Sequence, residues 1–238
     1  MRWGTSVMGF LVNRNSPGYP TDMRTIAIGD IHGCSLALSV LLERLRVKLD
    51  DRLIFMGDYV DRGPNSRDVV DQVMQLALHC NVVPLLGNHE VLMLQSLEDH
   101  EPNPFWIQQC GGAETMVSYG GSLDNVPTGH WQFFKACRRH YETDRHLFVH
   151  ANYDPDKSLD DQPDHLLFWN HLSMFIPKPH FSGKTVVMGH TPQRTGDVLN
   201  LGHLICIDTG CFAGGWLTAM DIDSGQVWQA NRYGEFRD

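Results

Sequence analysis

Asp30 and His32, Asp58, and Asn88 with His89 stand in three short blocks, Gly29-Asp30-Ile31-His32-Gly33, Gly57-Asp58-Tyr59-Val60-Asp61-Arg62-Gly63 and Gly87-Asn88-His89-Glu90. Two further histidines follow apolar runs, His150 in Phe148-Val149-His150-Ala151-Asn152 and His190 in Gly189-His190-Thr191-Pro192. Carboxylate and amide oxygens mixed with imidazole nitrogens suit Mn²⁺, Fe or Zn²⁺, whereas a thiolate-rich set would select other ions. The chemistry to expect is that of divalent metals acting on an anionic substrate.

The blocks recur at intervals of about 30 residues, the length of one strand-loop-helix-strand unit. Each follows a β-prone apolar run: Thr25–Ile28, Leu53–Met56 and Val82–Leu86. If these are parallel neighbours, every block lies at a carboxyl-terminal strand end, where open α/β sheets build their sites. Leu38, Leu41, Leu42 and Leu45 predict a helix within Cys34–Leu49, and Val69, Val70, Val73, Met74, Leu76 and Ala77 another within Ser66–Cys80, with Ser66 or Asn65 as N-cap. A third begins in Val91–Leu97. Pro and Gly interrupt helical stretches at Phe105–Gln109, Ala113–Ser118 and Gly129–Arg139, which predicts a cap-like helical insertion around residues 99–141. The second half reads as strands His146–Val149, Lys184–Met188, His203–Ile207, Leu217–Asp221 and Val227–Ala230, with Ser224-Gly225 as a hairpin turn. Two sheets face to face with helices outside would use all of these segments.

The chain has 238 residues, enough for one large domain, assigned here to residues 23–238, and residues 1–22 read as a flexible tail. The tail lacks a small-residue secretory cleavage pattern, and Met23 directly precedes the first strand. No apolar stretch approaches the roughly 20 residues needed to span a bilayer. A net charge of −9 disfavours general binding to nucleic-acid backbones. Six scattered cysteines without a Cys-x-x-Cys pair read as reduced thiols, so a cytoplasmic location is expected.

The five blocks in order resemble the calcineurin-like metallophosphoesterase superfamily, and the Asp61-Arg62-Gly63 and Gly87-Asn88-His89-Glu90 forms resemble its phosphoprotein phosphatase branch. The resemblance runs from about Thr25 to Asp223. It implies an α/β protein, a four-layer α/β/β/α sandwich around two central mixed sheets. It also implies two divalent ions, Mn²⁺ as first choice with Fe, Zn²⁺ or Ni²⁺ as alternatives. Asp30, His32 and Asp58 would bind one, and Asp58, Asn88, His150 and His190 the other. His89 would be the general acid, Asp61 would hold its imidazole, and Arg62 would clamp the phosphate, with Asn88 beside it.

Two positions depart from the pattern. Asn152 stands where the family usually has Gly, and Asn among non-Gly residues tolerates positive φ well. In Phe168-Trp169-Asn170-His171, His171 stands where the branch carries a second phosphate-binding Arg; it is a candidate substrate-binding residue when protonated, although an imidazole cannot reproduce a permanently charged fork. The expected activity is metal-dependent phosphomonoester hydrolysis on phosphoserine or phosphothreonine, with tyrosine also open, by attack of a hydroxide shared between the ions. Dinucleoside polyphosphate hydrolysis is the alternative, and a non-catalytic binding module on the same fold is the third reading.

Overall fold

Alternate side chains along each central strand go to opposite layers, as the period of two requires. The computed structural model describes residues 23–99 and 101–237, so the tail reading for residues 1–22 lies outside the described residues. Strands β1 (Thr25–Ile28) and β2 (Arg52–Phe55) send Ile26, Ile28, Leu53 and Phe55 toward helices α1 (Ser35–Leu45) and α2 (Ser66–Leu76). Ala27, Ile54 and the following Met56 face the other way. They pack against Phe148, Val187, Ile205 and Ile207 from β5 (His146–Val149), β6 (Thr185–Met188), β8 (Leu204–Cys206) and the residue after it. Leu147, Val149, Val186, Met188, Leu204 and Cys206 then cover the outer face of the second sheet, beneath α7 (Asp164–Trp169). The four layers of the α/β/β/α sandwich follow from that alternation, although the outer layer on this side is thin.

The first sheet has the order β10-β9-β1-β2-β3, adding β3 (Asn81–Pro84), β9 (Trp216–Asp221) and β10 (Val227–Asn231). The second has the order β4-β5-β6-β8-β7, with short edge strands β4 (His140–Glu142) and β7 (Leu199–Asn200). β1, β2 and β3 are parallel, as are β5, β6 and β8, while β9, β10, β4 and β7 pair antiparallel. Both parallel triplets therefore end in candidate ligands, with Asp30, Asp58 and Asn88 after one and His150, His190 and Asp208 after the other.

Several elements differ from their expected lengths. α1 stops at Leu45, short of Leu49, because Arg46 turns to the left-handed region at φ 47°. α2 ends at Leu76, short of Cys80. α3 (Asn88–Glu98) starts three residues before Val91, so that Asn88, His89 and Glu90 form its first turn. β4 and β7 carry too few residues for a period to show. The insertion forms α4 (Pro104–Gln109), α5 (Gly112–Ser118) and α6 (Thr128–Ala136). Trp106, Tyr119, Val126 and Phe134 are buried in the same core as α1 and α2, so this segment extends the helical layer and does not stand off as a separate cap. All six cysteines are free, including Cys206 and Cys211. No helix among the described residues is long and apolar enough to cross a membrane.

Candidate active site

Five of the residues singled out by type hold backbones that ordinary side chains avoid: His32 (φ 48°), Asp58 (φ 52°), Asp61 (φ 72°), Arg62 (φ 67°) and His190 (φ 62°). Such conformations cost about 1–3 kcal/mol each and persist where the surroundings over-determine them. Close backbone approach is one reason for them. A Cβ on Gly57 would lie 2.7 Å from Gly87 N, and one on Gly63 would overlap His32 O, so bare backbone lets the loops after β1, β2 and β3 meet.

Asp58 stands between two groups of ligand-type atoms. His32 Nε2 is 3.5 Å from its Oδ2, and His150 Nε2 is 3.5 Å from its Oδ1. His32 Nδ1 donates to Val60 O at 2.9 Å and His150 Nδ1 to Met56 O at 2.7 Å, so in each neutral ring Nε2 carries the lone pair. His150 Nε2 also lies 3.0 Å from Asn88 Oδ1. Three lone pairs facing one another call for a cation between them. Two buried atoms, Asp30 Oδ1 and His190 Nε2, have no hydrogen-bond partner at all. Ligand atoms of His32, Asp58 and His89, and those of Asp58, His150 and His190, lie within 4.8 Å of one another in each group.

The electrostatics agree. Burial, then Asp208 and Asp58, push the Asp30 carboxyl well above its usual range, and burial above all pushes Asp208 up to about 7. Burial lowers His32, His150 and His190, the last to about 3, leaving neutral imidazoles of the kind that ligate. Crowded buried carboxylates with neutral imidazoles fit divalent ions, which would offset the negative charge. We propose Asp30 rather than His89 for the first ion. His89 is otherwise engaged, and Asp30 holds a free oxygen while its Oδ2 accepts from His190 N at 2.9 Å.

His89 Nδ1 donates to Asp61 Oδ2 at 2.6 Å, with both side chains buried. Its Nε2 end faces a pocket of about 220 Å³ lined by Asp58, Arg62, Asn88, His171 and His190, with Phe105 and Trp169 exposed at its sides. Burial opposes charging His89, yet Asp58 and the Asp61 bond outweigh it and raise the pKa, which favours the proton-carrying form. The Arg62 guanidinium lies 4.4 Å from the Phe212 ring centre, and its Nη1 is 3.3 Å from His32 Nε2. Phe212, absent from the sequence motifs, thus packs against the Arg62 guanidinium and orients it. A larger hollow of about 540 Å³, lined by Arg44, Arg46, Trp228 and Phe236, holds none of these groups.

Two acids without an assigned role prove central. Glu90, fully buried, accepts from four backbone N–H groups: Gly87 at 3.0 Å, Asp58 at 2.9 Å, Tyr59 at 2.8 Å and Val60 at 3.2 Å. Burial and the Asp58 charge push its pKa up to about 8, while nearby His89 and the Val60 N–H oppose that rise. Glu90→Gln should lower stability by about 2–4 kcal/mol in chemical denaturation, because its amide nitrogen would face two N–H donors and leave both unpaired. An unchanged denaturation midpoint would show that those donors find other acceptors. Asp208, at the end of β8, accepts from Gly210 N at 2.9 Å beside Asp30. Its Asp-Thr-Gly setting carries no ligand spacing, but its place after a parallel strand matches the other five.

Both departures have structural answers. Asn152 is absent from the positive-φ residues, so the turn does not need the left-handed backbone expected there. Its buried amide instead donates to Asn170 Oδ1 at 3.1 Å and Phe175 O at 3.0 Å, tying down the segment on both sides of His171. The His171 ring stacks on His190 with centroids 4.2 Å apart. Burial and Arg62 lower its pKa, so it borders the pocket as a neutral group and not as a second cation.

The model of the calcineurin-like phosphoesterase family matches residues 23–216. Among curated relatives, the asymmetrical bis(5'-nucleosyl)-tetraphosphatase PrpE of Oceanobacillus iheyensis is 26% identical over 252 residues, covering 90% of this chain and 98% of its own. Serine/threonine-protein phosphatase 1 of Salmonella typhimurium is 28% identical over 213 residues, covering 82% of this chain and 90% of its own. The crystal structure of a putative diadenosine tetraphosphatase superposes with a TM-score of 0.67 at 22% identity, covering 88% of this chain and 94% of that one, a likeness of fold.

Proposed function

The chain belongs to the calcineurin-like phosphoesterase family, and we propose that it hydrolyses dinucleoside polyphosphates at a two-metal centre, with Mn²⁺ as the preferred ion. This places the alternative drawn from the sequence ahead of the protein phosphatase reading. The observation that carries it is the pocket. Lone pairs converge on both sides of Asp58 at its floor, one exposed cation, Arg62, borders it, and two exposed aromatic side chains, Phe105 and Trp169, flank it. A polyphosphate chain with flat bases at its ends matches that layout. Relatives named as tetraphosphatases over nearly their whole length support the same choice.

Asp30, His32 and Asp58 would hold one ion, and Asp58, Asn88, His150 and His190 the other. Bound there, two divalent ions supply an activated water near pH 7 and neutralise phosphoryl charge. Arg62 and Asn88 would hold the phosphoryl oxygens, with His171 alongside. His89 would deliver its proton to the departing oxygen while Asp61 keeps the imidazole in the Nδ1–H tautomer.

A second reading, hydrolysis of phosphoserine or phosphothreonine, is favoured by that same His89–Asp61 pair. A serine alkoxide is a far poorer leaving group than a nucleotide phosphate and gains more from a proton donor. The test is to strip the protein of metal, reload it with Mn²⁺, Zn²⁺, Fe²⁺, Ni²⁺ or Mg²⁺ in turn, and compare kcat/KM on a bis-nucleoside tetraphosphate with that on phosphoserine and phosphothreonine peptides. The tetraphosphate should be the better substrate, with Mn²⁺ the most effective ion. A higher kcat/KM on either peptide would reverse the order of the two readings.

A further inference from the structure

We propose that Trp106 and Thr115, from the helical insertion, are positioning residues for the proton donor His89 and act through Asp61. The inference rests on His89 as the acid, as proposed above, and its observations are the contacts of a single carboxylate. Asp61 is fully buried and accepts three side-chain hydrogen bonds: His89 Nδ1 at 2.6 Å and Trp106 Nε1 at 2.7 Å on Oδ2, and Thr115 Oγ1 at 2.7 Å on Oδ1. Two of the three come from residues 45 and 54 positions further along the chain.

Thr115 holds both ends of Asp61. Its hydroxyl donates to the carboxylate and accepts from the Asp61 backbone N–H at 2.8 Å. Since its one proton is spent on Asp61, the 2.9 Å contact with Ser66 Oγ has Ser66 as donor. That grip fixes a residue whose backbone sits at φ 72°, a conformation that needs support from outside its own loop. Trp106 is held in turn. A Cβ added at Gly112 would lie 2.6 Å from the indole Cε2, so bare backbone packs on the ring and leaves Nε1 one direction to point. The neighbouring Gly111 O accepts from Arg62 N at 3.1 Å, and the insertion therefore grips the clamp residue as well.

The physical consequence concerns direction more than strength. A carboxylate with several lone pairs can meet an imidazole from many angles, and an acid must point within a few tenths of an ångström. Trp106 takes one lone pair of Oδ2 and leaves the other to His89, while Thr115 holds Oδ1 and so fixes the plane of the carboxylate. Burial without them would leave carboxylate oxygens short of partners, and Asp61 would turn to find others. Packing alone would explain a buried Trp and Thr on this face. It does not explain why both aim their only polar hydrogens at the residue that orients His89.

The test uses the Mn²⁺-loaded protein and three variants: Thr115→Val, which keeps shape and removes the hydroxyl, Thr115→Ser, which restores it, and Trp106→Phe. Turnover is measured on an aryl phosphate with a good leaving group and an alkyl phosphate with a poor one. Thr115→Val and Trp106→Phe should each lower kcat on the alkyl phosphate by about tenfold, a fraction of the 10²–10⁴ that full acid assistance supplies, with KM and aryl turnover little changed. Thr115→Ser should recover most of the loss. Equal losses on both leaving groups, or a Ser variant as impaired as Val, would overturn the proposal. A second readout is independent of substrate and is taken on Zn²⁺-loaded protein, since paramagnetic Mn²⁺ would broaden the line: the low-field proton NMR signal of His89 Nδ1–H, identified by its loss in His89→Asn. It should move in Thr115→Val and return in Thr115→Ser. A signal unmoved in Thr115→Val overturns the positioning role whatever the substrate proves to be, whereas a moved signal in a protein inert toward every phosphate ester would count only against the proposed function.

Discussion

His89→Asn should lower kcat on an alkyl phosphate by about 10²–10⁴-fold while costing much less on a dinucleoside tetraphosphate. Asparagine keeps a polar side chain in the first turn of α3 but has no proton to give at neutral pH. An alkoxide leaves with its full negative charge unless protonated as the bond breaks, so the missing proton raises that barrier directly. A nucleotide phosphate spreads its charge over several oxygens and gains much less from the proton that His89 would deliver. The 2.6 Å bond to Asp61 and the raised pKa of His89 are the structural grounds for the larger effect. Turnover on the alkyl ester unchanged in this variant would remove His89 from the chemistry.

Asp58→Asn should be more damaging, on the order of 10³-fold or more on every substrate, because one residue serves both ion positions. The substitution removes the only carboxylate common to the two ligand groups and leaves a neutral amide facing His32 and His150. Leaving-group quality should make no difference here, in contrast to His89→Asn, since the loss falls on the nucleophile and on charge neutralisation. The pattern across substrates separates the two roles. A loss restricted to alkyl esters would show that Asp58 serves the acid and not the metals.

Most of this arrangement is legible in the chain because it is local. A β-prone run followed by Gly and a ligand marks a strand end at Asp30, Asp58, Asn88 and His190, and His150 follows its apolar run directly. Asp208 follows an equally buried strand, yet Asp-Thr-Gly also reads as an ordinary turn, and only its place beside β6 brings it near Asp30. Trp106 and Thr115 were invisible for another reason. Their partner is Asp61, half a hundred residues away, and helical periodicity reports which face is buried, never which polar atom a buried side chain meets. Asn152 shows how a rule sound in general misleads in one instance: tolerance of positive φ is real for Asn, but here the amide is kept for its hydrogen bonds. The protein phosphatase reading rests on motif residues, Asp61, Arg62 and His89, that the proposed hydrolysis of dinucleoside polyphosphates would also use. The proposed preference rests on the pocket sides, on Phe105, Trp169 and the neutral His171, and although Trp169 and His171 are near neighbours in the chain, no spacing announces that Phe105 shares their cavity.

The central claim, two ions held on either side of Asp58, is tested most directly by counting metal against chain in active protein. Elemental analysis after Mn²⁺ reconstitution and removal of loose ions should give two per chain, with activity rising as the second site fills and with the count falling in Asp58→Asn. Protein that keeps full hydrolytic activity with fewer than one ion per chain would contradict the account.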